Sequence, residues 1–215
     1  MKKIITTILA VVMLSSAVFA TEIDTKSMED LKNYKIITGD PDGKLRLEDN
    51  ITRAEALAIV CRTLSLSASE YANEFIDVTS DHWSAPYIST ALGAGIIDID
   101  ETKKFNPDEF VTSDEIVKMF VCALGYKPFA EVDGGYPMGY YSTATRYALF
   151  NNIPAITIGK PATRENVMIM AYSALDIPLM LQSGFNFKDN TASYIIADGK
   201  NGVELRTPRS MLTNK

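Results

Sequence analysis

One pattern of apolar positions recurs three times along the chain and predicts three similar helices. Residues 51–60 align with residues 111–120, and again with residues 162–171. The apolar positions lie three and four residues apart in each copy, as expected for a helix that buries one face. They are Leu57, Val60, Cys61 and Leu64, then Val117, Phe120, Val121 and Leu124, then Met168, Ala171, Tyr172 and Leu175.

A capping signature begins each of these helices. In two copies a glutamate follows a threonine three residues later: Thr52 and Glu55, Thr112 and Glu115. In this arrangement the two side chains satisfy free amides of the first helical turn. The third copy has Thr163 but carries Asn166 in place of the glutamate. We therefore expect a weaker cap there.

A second helical segment precedes each cap. In the middle copy it covers residues 83–94, and an alignment of Ala91 with Ala148 places Trp83 opposite Tyr140 in the third copy. In the first copy the segment is shortened and begins near Ile23. Three helix–loop–helix units that cannot bury their apolar stripes alone should pack on one another. The prediction is an all-α fold.

The chain after residue 180 lies outside this repeat. Residues 192–197 and 203–206 have the composition of short strands, and residues 198–202 form a glycine-containing link between them. We therefore expect a small β-hairpin at the C-terminus.

The N-terminus has the three parts of an export signal. Lys2 and Lys3 precede an apolar run over residues 4–14, and small residues at Val18 and Ala20 fit a cleavage site. The apolar run is too short to span a bilayer, so we expect cleavage after Ala20. An uncleaved N-terminal anchor is the alternative.

Charge and composition restrict the function further. The chain has 21 basic and 27 acidic residues, and loss of the signal segment would leave a net charge of −8. An acidic exported chain is a poor partner for nucleic acid or anionic lipid. We expect neither nucleic-acid binding nor membrane insertion after cleavage.

Enzymatic chemistry finds little support in the sequence. His82 is the single histidine, which excludes a multi-histidine metal site, and neither a nucleophile-elbow motif nor a phosphate-binding loop is present. We expect no enzyme activity, no cofactor and no metal. Cys61 and Cys122 lie within apolar helical patterns and are expected as buried thiols, although a bridge between them stays open.

Several short motifs resemble the S-layer-homology family. Their order, spacing and recurrence agree with that family over residues 25–179, and the motifs are residues 36–43, 51–55, 75–78, 82–83, 95–97 and 105–107. The resemblance implies three motifs packed as a pseudo-threefold helical unit on the bacterial cell surface. It also implies binding of a secondary cell-wall polysaccharide, often pyruvylated, in grooves between motifs. Residues 135–141 depart from the family's pattern.

The N-terminal signal, the internal repeat and the resemblance together give the predicted domain limits. They are a signal peptide at 1–20, repeats at 21–67, 72–127 and 128–179, and a C-terminal tail at 180–215. The leading interpretation is an anchor that binds wall polysaccharide without being covalently attached. The alternatives are a structural surface-layer protein that acts through protein–protein contacts, and the N-terminal anchor of a longer exported enzyme.

Arg53 and Arg164 are the strongest candidates for the binding site. Each occupies the first helical position, where a cation is mildly unfavourable, so capping explains the threonine but not the arginine. Free helix amides beside a guanidinium can receive a carboxylate, which a pyruvyl ketal would supply. The alternative is an exposed arginine paired with an aspartate. The middle copy has Ser113 and Asp114 instead, and we expect a weaker groove there.

The remaining candidates rest on weaker arguments. Trp83 can stack on a sugar ring or belong to the core, and Tyr140 is its predicted counterpart. Asp77 can accept sugar hydroxyls or cap the turn before Trp83. The resemblance adds Thr52, Thr163 and Gly39 to the predicted carbohydrate site. Residues 38–43 partly resemble a calcium loop, but a glycine turn is the preferred interpretation.

Overall fold

The computed structural model describes residues 23–39 and 42–213, so the predicted signal segment lies outside the described residues. The described chain is mostly helical and has one small sheet. Its elements are α1 Thr25–Asn33, α2 Arg53–Thr63, α3 Ala85–Gly93, α4 Ser113–Ala123, α5 Lys127–Val132, α6 Met138–Arg146, α7 Arg164–Ala174, β1 Met180–Asn186, β2 Thr191–Ile196 and α8 Pro208–Thr213. Within these two ranges, none of the helices has the length and apolar character needed to cross a membrane.

The predicted helix starts are confirmed. Thr52 accepts a hydrogen bond from the Glu55 amide at 3.3 Å, and the Glu55 carboxylate accepts one from the Thr52 amide at 3.1 Å. The same reciprocal pair begins α4. At α7, Thr163 accepts from the Asn166 amide at 3.2 Å, and this helix has only the threonine half of the cap.

The Thr52 cap gives the first testable expectation. Thr52→Ala should lower the free energy of unfolding by about 1 kcal/mol, because an amide of the first turn of α2 loses its acceptor. Thermal unfolding followed by circular dichroism would measure the change. Thr157→Ala is the control, since Thr157 is exposed and lies in a loop. Equal melting temperatures for the two variants would contradict the role of the cap.

The chain before each cap takes part in a closed ring of backbone hydrogen bonds. The Ile51 amide donates to the Ala162 carbonyl at 3.1 Å, the Val111 amide to Ile51 at 3.0 Å, and the Ala162 amide to Val111 at 2.9 Å. All three residues are buried. The ring therefore brings the N-termini of α2, α4 and α7 together at the centre of the molecule.

The predicted apolar stripes form the core around this ring. The side chains of Leu57, Val117, Phe120 and Met168 are fully buried, and α2 contacts α3, α4 and α7. Cys61 and Cys122 are both free and both buried, as expected for structural thiols. Burial raises the pKa of the Cys61 thiol to about 12 and that of Cys122 to about 11, which disfavours the reactive thiolate.

The ends of α1, α3 and α6 correct the predicted alignment of the third copy. The amide of Ile36 donates to Leu31, that of Ile96 to Ala91, and that of Leu149 to Ala144. Ala91 therefore corresponds to Ala144, and the alignment with Ala148 is wrong by four residues. With this alignment, the loop before the third cap is two residues shorter than the loop before the second.

The C-terminal hairpin exists, but its predicted partner strand is wrong. β2 pairs with β1 in an antiparallel ladder from Met180 opposite Ile196 to Asn186 opposite Thr191. Residues 203–206 form no strand. Asp189 favours the turn between β1 and β2, because its carboxylate accepts hydrogen bonds from the Thr191 amide and hydroxyl.

The tail packs on the helices. The Met180 amide donates to the Leu124 carbonyl at 3.0 Å, which fastens the start of β1 to the end of α4. At α8, Arg209 forms a two-point ion pair with Asp176 at 2.6 and 2.8 Å, and lies 3.7 Å from Asp30 of α1. Residues 180–213 therefore connect the third unit with the first.

Candidate functional site

The two candidate arginines each reach across to the next unit. Arg164 donates from Nε to the Leu45 carbonyl at 2.9 Å and from Nη1 to Glu55 at 2.8 Å. Arg53 donates from Nε to the Phe105 carbonyl at 2.7 Å and forms an ion pair with Glu115. The paired glutamates are the same residues that complete the helix caps. Each glutamate thus links its own helix start to the arginine of a neighbouring unit.

Because of these contacts, neither arginine is an exposed surface charge, and each pairs with a glutamate rather than an aspartate. Arg164 is only 7% exposed, and Arg53 is partly buried. The carbonyl and the glutamate draw each guanidinium inward, so its charge is compensated within the protein. Both arginines therefore contribute to packing, and a ligand would meet the outer edge of a guanidinium that already has partners.

The third junction lacks this ion pair altogether. The positions of the arginine and the glutamate hold Ser113 and Asn166, so both charged partners are replaced together. Asp114 instead accepts hydrogen bonds from the Tyr141 hydroxyl and the Gly159 amide, both at 2.9 Å. This junction offers a ligand no guanidinium.

A groove beside Arg164 gathers several predicted site residues. Its volume is about 300 Å³, and we call it the Trp83 groove. Trp83 is 51% exposed, so about half of its surface is open to a ligand. Gly39 lies in its lining, together with the polar and aromatic residues Thr38, Glu55, Arg62, Trp83 and Arg164.

A second groove beside Arg53 has a similar position but a different lining. We call it the Tyr136 groove, and its volume is about 240 Å³. Its polar and aromatic lining residues are Arg53, Asp98, Asp100, Glu115, Lys118 and Tyr136. Lys118 forms an ion pair with Asp98 at 2.9 Å and lies over the Tyr136 ring. Tyr136 is half exposed, as Trp83 is.

The predicted correspondence between Trp83 and Tyr140 is wrong. Tyr140 is fully buried and donates its hydroxyl hydrogen bond to Glu131. Burial raises the pKa of the Tyr140 hydroxyl, so it stays protonated. Trp83 lies two residues before α3, and Tyr136 lies two residues before α6. Tyr136 was not among the residues expected at the site, and the register at the ends of α3 and α6 identifies it.

The other predicted residues have mainly structural contacts. Asp77 accepts the Phe105 and Asn106 amides at 2.9 and 2.7 Å, so it closes that turn rather than the one before Trp83. Asp77 lines neither groove. Thr52 and Thr163 are caps. A side chain at Gly39 would lie 2.8 Å from the Gly43 carbonyl oxygen, which explains glycine at this edge of the Trp83 groove.

The loop at residues 38–43 is only partly described, because Asp40 and Pro41 lie outside the described residues. Within 23–39 and 42–213, no group of three acidic, histidine or cysteine side chains is arranged to hold a metal ion. In the described part of the loop, Gly43 adopts a φ of +80°, a backbone conformation that favours glycine.

Two segments of the chain match a known family. Residues 21–57 and 74–115 match the S-layer homology domain. The matched segments contain Arg53, Glu55 and Trp83, together with the capped start of α4. They therefore include one side of each of the two grooves.

Similar proteins agree with this match. The chain is 32% identical over 164 residues to the middle cell wall protein of Brevibacillus brevis, covering 74% of this chain and 15% of that protein. It is 27% identical over 199 residues to a surface layer protein of Brevibacillus choshinensis, covering 85% and 18%. It is also 34% identical over 92 residues to endo-1,4-beta-xylanase A of Thermoanaerobacterium saccharolyticum, covering 43% and 8%. The chain thus spans less than a fifth of the length of these relatives.

The match and the relatives identify a cell-surface or cell-wall protein, and they support a role in cell-surface anchoring. Among the residues that the matched segments contribute to the Trp83 groove are the half-exposed Trp83 and the charged Glu55.

Proposed function

We propose that the chain anchors its protein to the bacterial cell wall by binding a cell-wall polysaccharide between its helical units. Three S-layer-homology repeats would be arranged about a pseudo-threefold axis through the ring of Ile51, Val111 and Ala162. The observation that carries the proposal is the Trp83 groove, in which a half-exposed indole lies beside the Arg164 guanidinium.

The chemistry of this groove suits an acidic sugar. The exposed part of the Trp83 indole offers an apolar surface for a sugar ring, while the outer edge of the Arg164 guanidinium offers hydrogen-bond donors to a carboxylate. A pyruvyl ketal on the polymer would supply such a carboxylate. The Tyr136 groove offers Arg53 and Tyr136 in the same arrangement, and the junction with Ser113 offers neither.

We propose a non-enzymatic role for the chain itself. The position of the single histidine supports this proposal. His82 is hydrogen bonded through Nδ1 to Ser84 and lines neither groove. The likeness to a xylanase, of which only 8% is covered, favours an anchor within a longer exported protein as a second candidate. The likeness to a surface layer protein favours protein–protein contacts as the remaining alternative.

Retention on purified wall polysaccharide tests the proposal. Arg164→Ala and Arg53→Ala should each weaken binding by about one to two orders of magnitude, because a charge-assisted hydrogen bond worth about 1.5–3 kcal/mol is lost. Lysine at either position should restore binding only in part, since lysine lacks the planar fork. The polymer should be compared with and without its pyruvyl groups, and circular dichroism should establish that each variant is folded.

Ser113→Ala is the matched control and should bind as the unchanged protein does. Wall binding unaffected by both arginine substitutions would contradict a carboxylate site at these helix starts. Retention on whole cell surfaces without retention on purified polysaccharide would favour protein–protein contacts.

A further inference from the structure

The two grooves differ sharply in charge. The Tyr136 groove sets two cations, Arg53 and Lys118, against three carboxylates: Asp98, Asp100 and Glu115. Among the described residues that line the Trp83 groove, the cations are Arg62 and Arg164, and the one carboxylate is that of Glu55. On a chain whose overall charge is negative, the Trp83 groove is therefore a local basic site. An acidic ligand should prefer it on electrostatic grounds.

A second cleft continues the Trp83 groove. The two share Thr38 and Arg62, and the cleft has a volume of about 410 Å³. We call it the basic cleft, and it is lined by Tyr34, Lys35, Thr38, Arg62, Ser65, Leu66, Ser67, Tyr87 and Leu212. Its lining, as far as residues 23–39 and 42–213 provide it, contains the two cations Lys35 and Arg62 and no carboxylate. The volumes of the Trp83 groove and of the basic cleft both fall within the range of about 300–1,000 Å³ that is typical of small-ligand sites.

Arg62 is held at the point where the two clefts meet. Its Nε donates to the Tyr87 hydroxyl at 3.1 Å, and its guanidinium lies 5.1 Å from the centre of the Tyr87 ring. These contacts orient the side chain without neutralising its charge. Among the ion pairs of residues 23–39 and 42–213, Arg62 has no carboxylate partner.

Lys35 supplies the second charge. It is exposed and follows α1 in a left-handed backbone conformation with a φ of 57°. Within the described part of the chain it also forms no ion pair, whereas Lys44, Lys118 and Lys127 each pair with an aspartate. The basic cleft therefore keeps two cations available beside hydroxyl groups of serine and tyrosine.

We infer that the Trp83 groove and the basic cleft form one continuous site for an acidic polysaccharide, in which Arg62 and Lys35 bind a further anionic group along the polymer. The inference rests on the proposed function and extends it to residues outside the helix starts. The shared chemistry of the ligand is an anion on a sugar chain, which either a carboxylate or a phosphate can provide.

Three soluble probes test the inference. They are oligogalacturonate, which carries carboxylates; glycerol-phosphate oligomers, which carry phosphates; and neutral dextran. Titration calorimetry at low salt should detect binding of at least one anionic probe and no comparable binding of dextran. Raising the salt concentration should weaken this binding, because the charges lie in open clefts.

Two variants locate the binding. Arg62→Gln should weaken binding of the anionic probe by at least about tenfold, and Lys35→Gln by about three- to fivefold, as expected for an exposed charge. Lys188→Gln is the control, because it removes the same charge from an exposed residue that lines neither groove nor the basic cleft, and it should leave affinity unchanged. Preference for oligogalacturonate or for glycerol phosphate identifies which anion the site takes.

The inference is overturned if no anionic probe binds, if dextran binds equally well, or if Lys35→Gln and Lys188→Gln have equal effects. Purified cell walls separate this failure from that of the proposed function. Retention of the unchanged protein on walls without binding of any anionic probe contradicts only the basic cleft. If the unchanged protein is not retained on purified walls, the proposed function itself is contradicted.

Discussion

Phe120→Ala is expected to lower the free energy of unfolding by about 3–5 kcal/mol. Phe120 lies in α4, is fully buried and belongs to the predicted stripe of that helix. Because α4 contacts α2, α6 and α7, a cavity at this position would remove contacts from several helices at once. Urea unfolding followed by circular dichroism at 222 nm would measure the loss.

Phe110→Ala is the matched control for this experiment. Phe110 is 55% exposed, so the same change of side chain there should alter the free energy of unfolding by about 1 kcal/mol or less. A Phe120→Ala protein with the same unfolding midpoint as the Phe110→Ala protein would contradict the packing of α4 described above.

Gly125→Ala should also be strongly destabilising, by about 2–5 kcal/mol. Gly125 has a φ of +89°, and a side chain there would place its first carbon 2.0 Å from the Met180 carbonyl oxygen. The change therefore combines backbone strain of about 1–2 kcal/mol with an overpacking cost of about 1–3 kcal/mol or more. The clash is with backbone, which cannot rotate aside, so β1 would be pushed from the end of α4.

Gly95→Ala separates the two costs. Gly95 has a φ of +68°, but nothing lies within 4 Å of the added carbon. It should lose only the strain term, about 1–2 kcal/mol. Thermal unfolding of both variants measures the difference, and equal losses would mean that the contact between Gly125 and Met180 contributes little.

The capped helices were predictable because their signals are local. Thr52 and Glu55 lie within one helical turn, and the apolar positions after them repeat with the helical period. Both features depend only on residues near in sequence, and the structure agrees with each. The pairing of Arg164 with Glu55 was not predictable in this way, because it joins residues 109 positions apart.

The predicted alignment of the third copy was wrong for a specific reason. A shift of four residues is close to one helical turn, so it leaves apolar residues on nearly the same face. The dipeptide of alanine and leucine at Ala91 also recurs at Ala148, which made the wrong alignment attractive. Only the backbone hydrogen bonds after α3 and α6 distinguish the two alignments. They show that Tyr136, and not Tyr140, is the counterpart of Trp83.

The hairpin was only half predictable. β2 has the β-branched and aromatic residues of a strand, whereas β1 contains Gln182, Ser183 and Gly184 near its centre. β1 is also interrupted by an irregularity between Gln182 and Gly184, which conceals its alternation. Its position depends on contacts with α4 at Leu124 and Gly125, which residues near in sequence cannot reveal.

The ring of hydrogen bonds among Ile51, Val111 and Ala162 leaves no free backbone amide for a further segment of chain. In an open solenoid, a new repeat adds to the end of the stack and meets unpaired groups there. Here each donor and each acceptor of the ring is already used by the other two units. A further segment of chain would therefore find no free amide among these three residues, and would have to pack against the outside of the helices.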